Sequence, residues 1–502
     1  MDETTQRRFS VLLYDVMGQQ GYSSKSVRER SKQIKEHIED IIGNRLNTFF
    51  ENFFTMLRSG IHFEIDLIFA GSTGEGIAKP LASDYDFIIS PRRIICVDQR
   101  SDVNGMYVMQ NEFSNTEPGY VRLIAGVNYE DDEGWYGIFT QRLCKRCDYS
   151  LNNYLSSSES ARFVAESMTI CHIPQQFIDR QRNQMNGPAF TQSFVYSIPT
   201  LSDKSKLNYE IDVVVGLQFY STKIMNKWLY RERNHQWPSK HLQKEIAEME
   251  GYLVPVGHKL SEFQDIEWRI SYTTAEKRMV HNMQDEQVRL YAAMKMINRD
   301  CLKPKCKHFT SYFVKNLVFW VLEFTPIWAF TPSQFFERVI SALCHLKRFL
   351  KRYFLPNYII PERNMFLGRL TQVECKKMSV EVQNLIDSGC GFLFMSQKLS
   401  LSLQLAFYYP DRAKAYASWL LQIEDLVAKV SAAVVKTLIS SLESIFRGTA
   451  VLDVQWALFQ SGEYFPLLLE LLQLFCGDRT LLDLLLPGEL DKFVTQVRCV
   501  LS

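Results

Sequence analysis

The stretch LIFAGSTGEGIAKPLASDYDFIIS, residues 67–90, places two carboxylates, Asp84 and Asp86, one residue apart at the start of an apolar run. Strand side chains alternate between faces, so both acids face one way while Tyr85 and Phe87 face the other. Carboxylates that close repel each other and shift each other's pKa unless a cation lies between them. A divalent ion relieves the repulsion, and Mg²⁺ is commonly held by one or two carboxylates together with substrate phosphates. Upstream, Gly71-Ser72 closes the apolar run Leu67-Ile68-Phe69-Ala70 and offers backbone N–H groups and a hydroxyl suited to a triphosphate. A third acid, Asp212, sits in the β-branched run Glu210-Ile211-Asp212-Val213-Val214-Val215. An unpaired charge there would lose its hydration, and a metal shared with Asp84 and Asp86 would supply the missing partner. Together these residues suit metal-assisted nucleotidyl transfer. Taken singly, they would also suit solvated aspartates at a strand start or on an edge strand.

The elements that must position them can be read from periodicity. Apolar runs predict strands at 63–71 and 84–90, at the alternating FVYSI that follows Phe190-Thr191, and at 210–215. A long helix is expected over 24–58 from the spacing of Ile34, Ile38, Ile41 and Ile42, with Ser23 or Ser24 as cap and Gly43 as a kink. It carries Lys25, Arg28, Lys32 and Lys35 on one face, either a solvated surface or a phosphate-binding one. Residues 91–160 look irregular, with acidic turns at 130–134. A helix is expected at 286–301, and the tail reads as helices at 400–408, 411–446, 452–476 and 479–500, punctuated by Pro410 and Gly477. The tail carries no motif; a helical cap or an oligomerisation surface is its default role.

Length and composition set the outer bounds. The 502 residues suffice for two or three domains, and 46% apolar with 23% charged residues describes a folded chain. A formal charge of +1 excludes a global basic field, so any nucleic-acid surface must be a local patch. Eleven scattered cysteines imply no disulfide framework. The polar start MDETTQRRFS and the acids Glu323 and Glu470 within the most apolar stretches argue against a signal peptide or membrane span. A soluble, cytoplasmic protein without a membrane partner is expected.

The sequence goes further by resemblance. G-S, an eleven-residue gap and D-x-D resemble the metal-binding element of template-independent nucleotidyltransferases. The fuller GSTGEG…P…SDYDFI is similar to the animal family containing cyclic GMP-AMP synthase, its receptor-like relatives and the male-abnormal-twenty-one-like developmental proteins. Gly187-Pro188-Ala189-Phe190-Thr191, then Asp212, then Trp237-Pro238 follow the family order and set Asp212 where its third metal-binding acid stands. Trp268-Arg269-Ile270-Ser271-Tyr272-Thr273-Thr274-Ala275-Glu276-Lys277 resembles the family's W-R-h-S-[FY]-[ST]-x-x-E-K element. By carry-over, Arg269 reaches a nucleobase edge and Ser271 and Thr273 line the same pocket. Lys295 is placed on the triphosphate by its spacing to Thr310-Ser311-Tyr312-Phe313-Val314-Lys315, whose Ser311 contacts phosphate and whose Tyr312 stacks on a base. Leu355-Pro356-Asn357-Tyr358-Ile359-Ile360-Pro361 resembles a late structural segment, so the match runs from about residue 22 to about residue 385.

The resemblance implies an α/β, bilobal nucleotidyltransferase fold: a mixed-sheet lobe, a helical lobe and a further helical C-terminal region. The expected segments are 1–21, 22–250, 251–395 and 396–502. It implies Asp84, Asp86 and Asp212 as ligands of Mg²⁺, with Mn²⁺ as a substitute, and Gly71, Ser72, Arg269, Ser271, Thr273, Lys295, Ser311 and Tyr312 as nucleotide-binding residues. ATP, GTP or both are the implied substrates and a cyclic dinucleotide of innate immune signalling the product. Double-stranded RNA is the implied activator ahead of DNA, reaching Lys25, Arg28, Lys32 and Lys35, joined by Lys303, Lys305 and Lys307, with assembly into an oligomer on the ligand.

Two departures qualify the match. The interval between Lys277 and Lys295 holds His281 and no cysteine, so the zinc-binding insertion of cyclic GMP-AMP synthase, built on one His and three Cys, cannot form here. Leu253-Val254-Pro255-Val256 lacks the lysine the family often places after V-P, for which His258 or Lys259 would have to substitute. A scaffold that has lost its chemistry and an RNA-tailing transferase are the rival readings. Three converging carboxylates oppose the first, and WRISYTTAEK with TSYFVK oppose the second. Cys301, Cys306 and His308 offer only three ligands among lysines, so no structural zinc is expected. Elemental analysis of the purified protein should therefore find far less than one zinc per chain; about one per chain would reinstate that cluster.

Overall fold

The structure, a computed structural model, describes residues 2–36, 47, 64–79, 85–99, 106–124, 144–146, 153–170, 180–186, 189–199 and 204–446, with 466, 467, 470, 471 and 474. Its strands in chain order are β1 (Ile65–Ala70), β2 (Tyr85–Pro91), β3 (Ile94–Val97), β4 (Tyr107–Glu112), β5 (Tyr120–Ile124), β6 (Cys144–Arg146) and β7 (Asn153–Leu155). Then follow β8 (Arg180–Asn186), β9 (Ala189–Pro199), β10 (Lys204–Val215), β11 (Leu217–Tyr220), β12 (Gly251–Val254) and β13 (Glu267–Ser271). One sheet has the order β1-β2-β10-β9-β8. The other runs β13-β12-β11-β3-β4-β5-β7-β6, and a further β13–β5 pairing closes six of its strands into a ring.

Two strand pairs pass from one sheet to the other. β2 leads through Arg92-Arg93 into β3, and β10 leads through Gly216 into β11. At Gly216 a Cβ would come within 2.5 Å of Ile88 Cγ2, so a larger residue would push β10 away from β2 where the chain changes sheet. In β2, Phe87 and Tyr85 pack edge-on against Phe69 of β1, which turns Asp86 to the opposite face as the alternation requires.

Residues 91–160, expected to be irregular, instead hold β3, β4, β5, β6 and β7 and the start of the helix Ser157–Ile170. These strands are three to six residues long and bring no alternation strong enough to register locally. Their pairing is distant: β5 meets β13 through Tyr120 and Arg269, and β3 meets β11 through Cys96 and Phe219. Of the long helix expected over 24–58, Ser24–Ile34 is present, capped by Ser23, whose Oγ accepts from Ser26 N at 3.1 Å. Gly43 and the rest of that helix, apart from Asn47, lie outside the described residues.

The second half is mainly helical. Asp285–Ile297 ends in a π-turn at Asn298–Leu302, and Ser311–Phe324 is buried almost all round. The LPNYIIP segment is structural: the Tyr358 hydroxyl donates to buried Glu323 at 2.7 Å, and Arg231 pairs with the same carboxylate at 2.7 Å. The tail begins with helices Gln397–Tyr408 and Pro410–Phe446. The helices expected at 452–476 and 479–500 lie outside the described residues, save 466, 467, 470, 471 and 474. Among the described residues no helix is long and apolar enough to cross a membrane.

The helix Pro410–Phe446 is tied into the first half by charge. Glu424 accepts from Arg30 Nη1 at 2.6 Å and lies 3.9 Å from Lys79 Nζ, with all three side chains buried. Arg30 also donates to the carbonyls of Gly76 at 2.7 Å and Gly21 at 3.1 Å. Breaking a buried pair by removing one partner typically costs about 3–5 kcal/mol, because the remaining charge is left uncompensated. Glu424→Gln should therefore lower Tm sharply in thermal unfolding; an unchanged Tm would mean that this helix is not integral to the fold.

Candidate active site

A cavity of about 960 Å³ opens where the first sheet meets β13 and the helical half. Asp86 and Asp212 both line it, at in-register positions of the adjacent parallel strands β2 and β10. β9 brings Thr191 beside Asp212, and the Thr191 hydroxyl donates to Asp212 Oδ1 at 2.5 Å. Asp212 is thus half-buried and hydrogen-bonded, which answers the hydration problem posed by its β-branched neighbours. Gly71 follows β1 at φ +63°, and a Cβ there would lie 1.8 Å from Asp86 Oδ2. Glycine is therefore required both by the left-handed backbone and by the carboxylate that fills the space.

Paired carboxylates at a strand end with glycine backbone beside them suit a hard divalent cation. Among the described residues no three His, Cys, Asp or Glu side chains converge on one point, and Asp84, the expected third member, lies outside them. Cys301 and Cys306 are buried, and burial pushes the Cys301 thiol up to about 11, which keeps it protonated at neutral pH.

The facing walls come from β13, the helix Thr273–His281 and the helix Ser311–Phe324. Arg269, Ser271, Thr273 and Tyr312 all line the cavity, and the Ser271 and Thr273 hydroxyls lie 2.8 Å apart. The other expected contacts are set back. Ser72 lies in the short turn Gly71–Gly74, Ser311 is exposed at the first residue of its helix while Thr310 lines the cavity, and Lys295 is half-buried behind the wall. Lys295 Nζ sits 5.8 Å above the Tyr291 ring; burial lowers it to about 8 against the pull of Glu75 and Asp86. Both residues considered as replacements for the missing lysine, His258 and Lys259, line the cavity.

One cluster carried no role in the sequence analysis. Lys315 is buried between Glu75 Oε1 at 2.7 Å and Glu276 Oε2 at 2.5 Å. The Tyr291 hydroxyl donates to Glu75 at 3.1 Å and the Tyr312 hydroxyl to Glu276 at 2.7 Å. Burial pulls the Lys315 ammonium down, but Glu276 and Glu75 outweigh it and hold its pKa well above the usual lysine value. Burial first, then Glu276, pushes Tyr312 up to about 12, so it stays a donor. Glu276 and Lys315 each stood within a family-like motif, but their pairing across the fold had no sequence signal.

On the helix Ser24–Ile34 and just beyond it, Lys25, Arg28, Lys32 and Lys35 are all exposed. Arg28 Nη1 donates to His281 O at 3.2 Å, and Lys32 lies 3.7 Å from Glu36. Lys303, Lys305 and Lys307 are exposed too, with Lys305 3.8 Å from Glu381.

Residues 101–282 match the family model of the Mab-21 protein nucleotidyltransferase domain, and residues 286–384 match that of the Mab-21 protein HhH/H2TH-like domain. Asp212, Arg269, Ser271 and Thr273 fall in the first match and Lys295, Ser311 and Tyr312 in the second, while Gly71 and Asp86 precede both. No curated protein matches the chain.

Lys315→Met should destabilise the fold by about 3–5 kcal/mol, since it leaves Glu75 and Glu276 buried without their cation. Without it, two buried carboxylates face each other with no cation between them, a charge defect that acid conditions weaken. The Tm deficit of the variant, followed from neutral to acidic pH, should be largest at neutral pH and shrink on acidification. A deficit that does not vary with pH would show that packing rather than charge is lost.

Proposed function

Because this chain belongs to the Mab-21 family and carries its nucleotidyltransferase and HhH/H2TH-like domains, we propose that it is a catalytically competent, Mg²⁺-dependent nucleotidyltransferase. Its substrates are ATP, GTP or both, and two successive transfers close a cyclic dinucleotide. The observation that carries this reading is the placement of Asp86 and Asp212 at matched positions of two parallel strands, facing one cavity with Tyr312, Ser271 and Thr273.

Asp86 and Asp212, with Asp84, would hold Mg²⁺, which supplies neutralisation of phosphate charge and acidification of an attacking hydroxyl. The reaction is a substitution at the α-phosphorus: a ribose hydroxyl oxygen forms the new bond, pyrophosphate leaves, and the hydroxyl proton passes to a nearby carboxylate. This chain's residues do the positioning. Thr191 orients Asp212 by occupying one of its acceptor sites. The Tyr312 ring is a platform for a base, held in place because its hydroxyl is anchored on Glu276. Ser271 and Thr273 present hydroxyls beside it, and fixed geometry of this kind is worth several kcal/mol of barrier.

Double-stranded RNA is the proposed activator. The exposed row Lys25, Arg28, Lys32 and Lys35 supports it, since duplex RNA is gripped chiefly through phosphates and 2′-hydroxyls.

The test is incubation with ATP, GTP and Mg²⁺, with and without duplex RNA, with products resolved by mass spectrometry. Cyclic product is expected; linear oligomers would indicate a tailing enzyme, and no product under any condition a binding role. Asp86→Asn and Asp212→Asn keep volume and lose charge, so each should reduce turnover at least about a hundredfold, roughly 2.7 kcal/mol of barrier. Turnover like wild type in either variant would end the metal-dependent proposal.

A further inference from the structure

The helix Pro410–Phe446 begins beyond residue 384, where the match to the Mab-21 domains ends, and its sequence carries no motif. Its apolar positions Leu420, Ile423, Leu426 and Val427 are buried, and a carboxylate, Glu424, is buried among them. An acid on a buried helix face is costly unless it is paired and hydrogen-bonded, so the partners of Glu424 are informative. It reaches the loop that follows Gly71 by two routes.

The first route is Arg30. Its guanidinium bridges the Glu424 carboxylate, at 2.6 Å, and the carbonyls of Gly76 and Gly21, at 2.7 and 3.1 Å. The second is Lys79, 2% exposed, whose Nζ lies 3.9 Å from Glu424 Oε2 and 5.7 Å from the centre of the Tyr22 ring. Neither Lys79 Nζ nor Glu424 Oε2 has a hydrogen-bond partner among the described residues, so charge holds this pair. Burial, followed by Lys398 of the preceding tail helix, pulls Lys79 down to about 7, and Glu424 opposes that shift. One tail carboxylate therefore serves two buried cations, one that grips the loop and one that belongs to it.

Both routes run on to the carboxylate end of the cavity through backbone bonds. Gly76 N donates to Thr73 O at 2.9 Å, Glu75 N to Gly71 O at 3.1 Å, and Ala78 N to Ser72 O at 2.9 Å. The loop is thus wound back on the turn Gly71–Gly74, so a pull on Gly76 or Lys79 is passed to Gly71 and Ser72. Gly71 has no slack to absorb it: a Cβ there would lie 1.8 Å from Asp86 Oδ2, so its backbone abuts the carboxylate. We infer that Glu424 is a positioning residue, through which the tail helix fixes the turn against Asp86 and so sets turnover at a cavity that Glu424 does not line. The effect on turnover rests on the nucleotidyl-transfer reading; the hold on the turn does not. A displacement of about 1 Å at a reacting group costs on the order of a hundredfold in rate, so a remote grip of this kind matters.

The test is hydrogen–deuterium exchange of the full chain, read by mass spectrometry, beside steady-state kinetics at a temperature where circular dichroism shows each variant folded. In Glu424→Gln the amides of residues 71–79 should exchange at least about tenfold faster over minutes, while those of the buried helix Ser311–Phe324 stay protected. kcat should fall at least about tenfold with the nucleotide KM changed by less, since a displaced carboxylate is felt in the transition state. Arg30→Lys keeps a cation beside Glu424 but loses the fork that reaches both carbonyls. It should show the same pattern, and it decides the matter if Glu424→Gln fails to fold. Wild-type exchange at 71–79, equal loss of protection at Ser311–Phe324, or wild-type kcat in a variant whose turn has opened each overturns the positioning role. An opened turn in a chain that forms no nucleotide product even as wild type would overturn the transfer reading alone; an active wild type whose variants keep the turn closed would overturn the positioning role alone.

Discussion

A single ammonium group, that of Lys315, holds the cavity's walls together. It joins Glu75, from the loop after β1, to Glu276, from the helix after β13, and itself belongs to the helical half. Each charge here would be costly to bury alone, and the arrangement is tolerable because both carboxylates are also hydrogen-bonded, by Tyr291 and Tyr312. The constraint reaches the metal end through the backbone. Glu75 N donates to Gly71 O at 3.1 Å, so the residue that grips Lys315 also closes the turn behind Asp86.

The same loop is held from its other side. Ser31 donates to Gly74 O at 2.7 Å and Arg30 to Gly76 O at 2.7 Å, and Arg30 is itself fixed by Glu424 of the tail helix. Gly76, at φ +77°, lies so close to Val27 O that a Cβ would approach to 2.0 Å. Residues 71–79 therefore sit between two buried charge clusters, one built with the helical half and one with the tail. The tail thereby gains a structural role, because the residues after Pro410 help to set the position of the loop that carries Gly71.

Within that frame the cavity is polarised. Asp86 and Asp212 occupy the sheet, while Arg269, Arg363 and Arg369 occupy the facing wall, and Tyr312 and the Ser271–Thr273 pair lie among them. Opposite charges on different walls suit a ligand that carries both phosphates and a metal. The sheets make the geometry possible, because β2 and β10 run parallel with Asp86 and Asp212 in register before passing into β3 and β11.

Much of this was legible in the chain itself, where the information is local. The face of Asp86 followed from strand alternation against Tyr85 and Phe87, and the need of Asp212 for a partner followed from its β-branched neighbours. The helices expected at 286–301, 400–408 and 411–446 followed from local pattern in the same way. What no local pattern could carry was pairing across long separations. The short strands between 91 and 124 gain their identity from β11 and β13, more than a hundred residues on, so they looked irregular. Lys315 was one lysine in a family-like motif until Glu75, 240 residues away, was folded against it. Arg363 and Arg369 had no motif at all, because mutual repulsion exists only between charges that share a cavity. Local alternation and residue chemistry determined which side chains could act; the tertiary fold decided which of them meet, since burial and Coulomb interaction depend on distance in space rather than along the chain.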